Sequence, residues 1–167
     1  MQSQLITTII GPLTPDVLKA LAKASRSQGA LWLSSKVIQL DGQFAAMMKV
    51  DVATEAVDDL KQHLATSFPE LVFAYAEPQA VTVPLTEAVT VVVDCDDRAG
   101  LTHDISHILA DLDVLVEHQE YCRVQVSTLG QTVYSAKLVV RLPESISCDL
   151  LIQQLESLGG QVRVAKV

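Results

Sequence analysis

One run, VVVDCDDRAGLTHDISHILADL at residues 91–112, carries three candidate chemistries. Asp94, Asp96 and Asp97 could hold a divalent cation or attack a phosphate. His103 and His107, at i and i+4, could share a zinc ion. Gly100, opening a helical pattern, could let backbone N–H groups approach a small anion. The elements around these residues decide among the three.

The helix phase answers the histidine question. At about 100° per residue, Leu101, Ile105, Ile108, Leu109 and Leu112 share one arc, while His103 and His107 lie roughly opposite. The HDISH segment lacks the Glu general base and third ligand of a zinc protease, and His118 follows on a strand with no Glu placed for that role. The histidines therefore read as a polar outer face, as do Lys19, Lys23 and Arg26 on the matching earlier helix. An apolar strand ending in Asp-x-Asp-Asp is similar to the nucleophile strand of haloacid-dehalogenase-type phosphatases. That chemistry needs a doubly wound parallel sheet, whereas here the next long strands form a hairpin. Alternation places Asp94 and Asp96 on one side of the strand and leaves Asp97 as a helix-cap acceptor, which disfavours a metal. What remains is a helix start that can take a carboxylate beside acids that can take an ammonium, a pattern suited to a free amino acid. Simple helix capping by glycine is the structural alternative.

The same element order occurs twice, with a seam near PQAVTVPLTEA (78–88). In the first half QLITTII predicts a strand, and Asp16 to Gln28 a helix carrying Val17, Leu18, Leu21, Ala24 and Ser25 at helical spacing. Strands follow over 30–40 and 43–52, joined by the turn signal Asp41-Gly42. Thr54 precedes a helical segment to Ser67, with Glu55 and Asp58 in its first turn, and LVFAYA closes the unit after Pro69. The second half predicts AVTVVVDC as a strand, a helix over 100–111, strands over 114–128 and 131–142 turning at Leu129-Gly130, a helix over 147–158 stopped by Gly159-Gly160, and the strand QVRVAKV. The expected fold is α+β, two ferredoxin-like βαββαβ sandwiches in tandem, at 1–80 and 81–167.

Composition narrows the function. The 167 residues carry 12 Lys and Arg against 20 Asp and Glu, a net charge of −8, with 49% hydrophobic content. No basic run offers a phosphate-backbone footprint, so direct nucleic-acid binding is disfavoured. The N-terminal segment MQSQLITTII has no export signal and no apolar run could span a membrane, so a cytoplasmic protein is expected. Cys95, Cys122 and Cys148 fit neither a disulfide framework nor a metal motif and read as buried small apolar residues. The first 84 residues hold 6 basic and 8 acidic side chains, the rest 6 and 12, so acidity concentrates in the second half. No nucleophile, base and oxyanion donor converge, which disfavours an enzyme.

The segment Asp97-Arg98-Ala99-Gly100-Leu101 between strand and helix resembles the Asp-Arg-x-Gly junction of an ACT domain. Gly11-Pro12-Leu13-Thr14-Pro15-Asp16 lies at the same junction of a second, earlier copy, with Leu40-Asp41-Gly42-Gln43-Phe44 at its hairpin. A stand-alone ACT pair over nearly the whole chain resembles the bacterial family of glycine cleavage system transcriptional repressors. The resemblance implies a non-catalytic regulator without cofactor or metal. It would bind a small amino acid such as glycine at Asp97, Arg98, Ala99, Gly100 and Leu101 and act on a partner transcription activator. ACT-containing chains also serve as regulatory subunits of metabolic enzymes, which is the alternative partner. Two departures stand out. The chain has no Asn for the usual place at the start of the second strand, where Leu31 and Leu115 stand, and Asp16 replaces the first copy's junction glycine. In the first hairpin, alternation puts Trp32 and Ile38 on one side and Leu31, Leu33 and Val37 on the other. Both sheet faces should then be covered, by an intrachain pair or a homodimer.

Overall fold

A computed structural model describes residues 1–80, 85–126, 130–159 and 162–167. The chain separates into two compact units, Met1–Val81 and Thr82–Val167. The first comprises β1 (Gln2–Pro12), α1 (Val17–Ser27), β2 (Leu31–Leu40), β3 (Gln43–Ala53), α2 (Val57–Ser67) and β4 (Val72–Ala76). The second comprises β5 (Leu85–Asp96), α3 (Leu101–Asp111), β6 (Leu115–Val126), β7 (Gln131–Pro143), α4 (Cys148–Glu156) and β8 (Val162–Lys166). Each unit is a four-stranded antiparallel sheet, in the orders β2-β3-β1-β4 and β6-β7-β5-β8. Both are α+β ferredoxin-like βαββαβ sandwiches, as the repeated element order predicts.

Period-2 strands and 3.6-period helices meet in each core. In the first unit Ile9, Phe44, Ala46, Met48, Val50 and Val52 bury one sheet face against Val17 and Leu21 of α1 and Leu60 and Leu64 of α2. In the second, Val91, Val93, Cys95, Tyr134, Ala136, Leu138 and Val140 do the same against Leu101, Ile105 and Leu109 of α3 and Leu151 and Leu155 of α4. The Asp41-Gly42 turn is built as the sequence implies, with φ of 47° and 78° at the two residues, the left-handed pair that a two-residue hairpin needs. Ser147 caps α4 by accepting from the Leu150 N–H.

Several expectations change. Strand β2 carries a bulge between Trp32 and Ser34, so Leu33 is the extra residue and the alternation reverses after it. Trp32, opposite Val50, and Val37, opposite Ala46, therefore share the helix-facing side. Ile38, opposite Ala45, and Leu40, opposite Gln43, face away, together with Leu31 opposite Asp51. The away-facing side remains apolar even so: Ile10, Ile38, Leu40, Met47 and Val72 are exposed there. Strand β6 carries an equivalent bulge between Val116 and His118. The helical segment after Thr54 starts as a 3-10 turn, so the α-helix begins later than expected. Residues Thr54–Ala56 form one 3-10 turn, the Thr54 hydroxyl donates to the Met1 carbonyl at 3.1 Å, and α2 starts at Val57 with Asp58 and Asp59 in its first turn. Of the cysteines only Cys95 is buried; Cys148 is half-buried and Cys122 exposed. Leu129 of the second hairpin turn, Thr128, Gly160, Gln161 and part of the 78–88 seam lie outside the described residues.

Gly11 marks a close approach between elements. A Cβ there would run into Leu71 Cδ2 and meet the Glu70 carbonyl at 3.3 Å. Gly11→Ala is expected to destabilise the first unit by about 1–3 kcal/mol through overpacking, read as a lowered urea midpoint at unchanged slope.

Candidate functional site

The junction of β5 and α3 is organised by what lies beneath it. Val91, Val93 and Cys95 point into the core, so Asp94 and Asp96 fall on the opposite sheet face. Asp94 accepts a 2.6 Å hydrogen bond from the Ser135 hydroxyl on β7. The strand then leaves the sheet, with the Asp97 N–H still donating to the Thr132 carbonyl at 3.0 Å. Gly100 turns the chain into α3 with φ 87°, a left-handed conformation that L side chains adopt at a cost. The space where its Cβ would stand is open apart from Arg98 Nη1 at 4.0 Å.

Asp97 does not cap α3, because its carboxylate is engaged elsewhere and the helix start has no side-chain cap. Both Asp97 oxygens accept from Arg123 Nε at 3.0 Å. Arg123, on β6, lies with its guanidinium carbon 5.5 Å from the Tyr134 ring centroid. Tyr134 is fully buried beneath it and shares a 2.9 Å hydrogen bond with the Thr102 hydroxyl in the first turn of α3. The Tyr121 ring stands 5.7 Å away, centroid to centroid. Burial raises the Tyr134 phenol above its ordinary value, and the bond from Thr102 opposes that rise. Sequence reasoning missed Arg123, Tyr121 and Tyr134, which only the sheet register brings to the junction.

Arg98 points the other way. Its Nη2 donates to the Leu158 carbonyl, just past α4, at 3.0 Å and pairs with Asp104 at 2.7 Å, while Nη1 donates to the Ala99 carbonyl at 3.2 Å. It braces the loop against the end of α4. Ala99 contributes its carbonyl to Arg98, and the Leu101 side chain is buried in the core and does not line the junction. His103 and His107 lie on the exposed side of α3, where His107 Nδ1 meets Asp111 at 2.9 Å and His103 Nδ1 meets Asp104 at 3.6 Å. Among the described residues no group of three or more His, Cys, Asp or Glu is placed to hold a metal ion, and no helix is long and apolar enough to cross a membrane.

With this geometry in place, known proteins supply a frame. Residues 3–71 match the family model of the ACT domain. The match covers the first of two units that share one α+β fold. Two solved structures match its whole length. An unknown protein from Galdieria sulphuraria superposes with a TM-score of 0.84 at 16% identity, covering 100% of this chain and 99% of that one. A protein assigned as a glycine cleavage system transcriptional repressor superposes with a TM-score of 0.74 at 14% identity, with the same coverage. At such identities the likeness is one of fold. No curated protein sequence matches the chain. The likeness of fold extends past the family match into the second unit, where the Asp97–Leu101 junction lies.

The Arg98 brace sets a pH dependence. The Arg98 hydrogen bond holds the Asp104 carboxyl below its ordinary value, with the His103 contact acting in the same direction. A carboxylate whose folded pKa is depressed adds stability above its unfolded pKa and loses it as pH falls through the folded one. The melting temperature is therefore expected to decline on acidification through and below the ordinary carboxylate range. Arg98→Gln should flatten that part of the decline, read by thermal melts from neutral to acidic pH.

Proposed function

We propose that this tandem ACT protein is a non-catalytic, cytoplasmic regulator that senses a small free amino acid through its second unit and acts by binding a partner transcription activator. The observation that carries the reading is the asymmetry at the two equivalent junctions. Gly100 opens α3 in a left-handed turn beside the Asp97 carboxylate, whereas Asp16 opens α1 at φ −102° and sets its own negative charge where a ligand carboxylate would come. One junction is fit for a zwitterion and the other repels it. The first unit then serves as structure and as a pairing surface, consistent with the apolar residues exposed on its sheet.

The mode of action follows from charge. The second half carries 12 acidic against 6 basic side chains; Asp97, Asp104, Asp111 and Asp113 lie along the loop, α3 and its end, while Asp94 and Asp96 add charge on the far face of the sheet. Such a surface repels the phosphate backbone and attracts a basic protein face. The full-length likeness to a protein assigned as a glycine cleavage system repressor supports glycine as the first ligand to test and an activator as the partner.

Gel shifts with promoter DNA are expected to show no retardation by this chain alone at physiological salt, and an altered mobility once the activator is bound. Retardation by the isolated chain would overturn the protein-contact mode. Capture of a biosynthetic enzyme instead of an activator in a pull-down would make the chain a regulatory subunit of that enzyme. For the ligand, isothermal titration with glycine, alanine and serine should give heat with at least one. Gly100→Asp should abolish it at a stability cost of about 1 kcal/mol from its left-handed backbone.

A further inference from the structure

The two units are copies of one fold, so each is a control for the other. Register aligns them without ambiguity. Ile9 pairs with Ala46 as Val93 pairs with Ala136, Gly11 with Phe44 as Cys95 with Tyr134, and Trp32 with Val50 beside a bulge as Val116 with Val140. The first strand, first helix and outgoing hairpin strand are offset by 84 residues and the returning strand by 90, so the second hairpin is six residues longer.

In that alignment Leu13 stands for Asp97, Asp16 for Gly100, Leu18 for Thr102 and Phe44 for Tyr134. Gln39, opposite Phe44, stands for Arg123, opposite Tyr134. The whole polar constellation of the second unit is replaced in the first, which builds the same sheet, helix and bulge regardless. The fold does not require the Asp97–Arg123 pair, the Thr102–Tyr134 bond or the aromatic bed under the guanidinium. Nor is the pair a buried clamp on the fold, since the Arg123 side chain is 59% exposed although Asp97 is 23% exposed, and solvent screens the attraction at the guanidinium.

We propose that Asp97 and Arg123 together receive the zwitterionic head of a free α-amino acid. The ligand carboxylate replaces Asp97 at the Arg123 guanidinium, and the ligand ammonium replaces Arg123 at Asp97. The exchange turns one ion pair into two and leaves the net charge of the junction unchanged. A ligand with only one of the two charges strands the other protein group without a partner. The Tyr134 ring, its centroid 5.5 Å from the Arg123 guanidinium carbon, and the Asp97 carboxylate together hold that group at the junction before a ligand arrives. This assignment rests on the amino-acid-sensing reading above and adds Arg123, 26 residues from Asp97, as the group that selects for a carboxylate.

The test is isothermal titration of the full chain with glycine, alanine and serine. Glycinamide serves as the ligand lacking a carboxylate and N-acetylglycine as the one lacking an ammonium, with melting temperature as the check on folding. The intact chain is expected to bind at least one amino acid and neither half-ligand. Arg123→Gln and Asp97→Asn should each weaken binding about tenfold or more, while Gln39→Ala at the equivalent first-unit position should change nothing. Amino-acid binding that survives unchanged in both second-unit variants overturns the Asp97–Arg123 receptor and leaves the sensing reading standing. Silence of the intact chain towards all three amino acids at millimolar concentration overturns both. Should Arg123→Gln fail to fold, Arg123→Lys keeps the charge without the planar fork: weakened binding supports the assignment and unchanged binding refutes it.

Discussion

Cys95 and Tyr134 face each other across the centre of the second sheet, and the rest of the junction is measured from that pairing. Both side chains point into the core, Tyr134 without any exposed surface. A one-residue slip between β5 and β7 would turn every buried side chain of those strands outward, so the register is held by the whole core. Once it is held, Tyr134 lies under the first turn of α3 and reaches Thr102, and its partner across β6 is Arg123. Asp97, two residues beyond Cys95, then meets Arg123 with little freedom to do otherwise. Packing thus places the charges, although the charges contribute little to the packing.

The duplicated fold separates what packing requires from what it tolerates. Phe44 and Tyr134 occupy matching core positions, and the ring is what the core needs. The hydroxyl in the second unit would cost free energy if left unpaired, and Thr102 satisfies it. Leu18 at the matching place makes no such demand, since Phe44 has no hydroxyl. The same division runs along the surfaces. Large exposed apolar side chains gather on the first sheet, at Leu31, Leu33, Val37, Ile38, Leu40, Met47 and Val72, while among the described residues the second unit exposes Leu115 and Val124 besides its terminal Val167. Apolar area suits a lasting contact and charge suits a reversible one, so the two units are equipped for different kinds of encounter.

Much of the fold was legible because its signals are local. Asp41-Gly42 names its own turn, Pro69 ends its own helix, and the helix stripes repeat within a few residues. The bulges were not legible. Nothing in the residues around Leu33 or Glu117 distinguishes an extra strand residue from an ordinary one, and missing the first put Ile38 on the wrong face. The late start of α2 was not legible either: the Thr54 hydroxyl is used by the Met1 carbonyl, 53 residues away in sequence. At the junction the loop itself could be read, since strand, glycine and helix adjoin. The direction of each long side chain could not. Arg98 turns to the Leu158 carbonyl, 60 residues on, and Arg123 returns to Asp97 from across a hairpin. A flexible cation goes where acceptors are fixed by other elements, and those positions exist only once the sheet has formed.

That separation between rigid support and loosely held charge bears on how a junction of this kind can respond to a small molecule. A buried ion pair would be costly to open, because removing either partner leaves an unpaired charge in a poor solvent. An exposed pair is worth about 0–1 kcal/mol and can be exchanged for ligand contacts at little expense. Ligand binding can then shift an equilibrium only to the extent that it favours one arrangement of the loop over another. At this junction the loop has two tethers of different kinds. In the proposed exchange a ligand replaces the Arg123 tether, whereas the Arg98 tether fastens the same loop to the end of α4 and involves no group that a zwitterion replaces. Such an exchange would act on a loop still tied to the end of α4, at a place where Asp97 meets β6, the edge strand of the sheet.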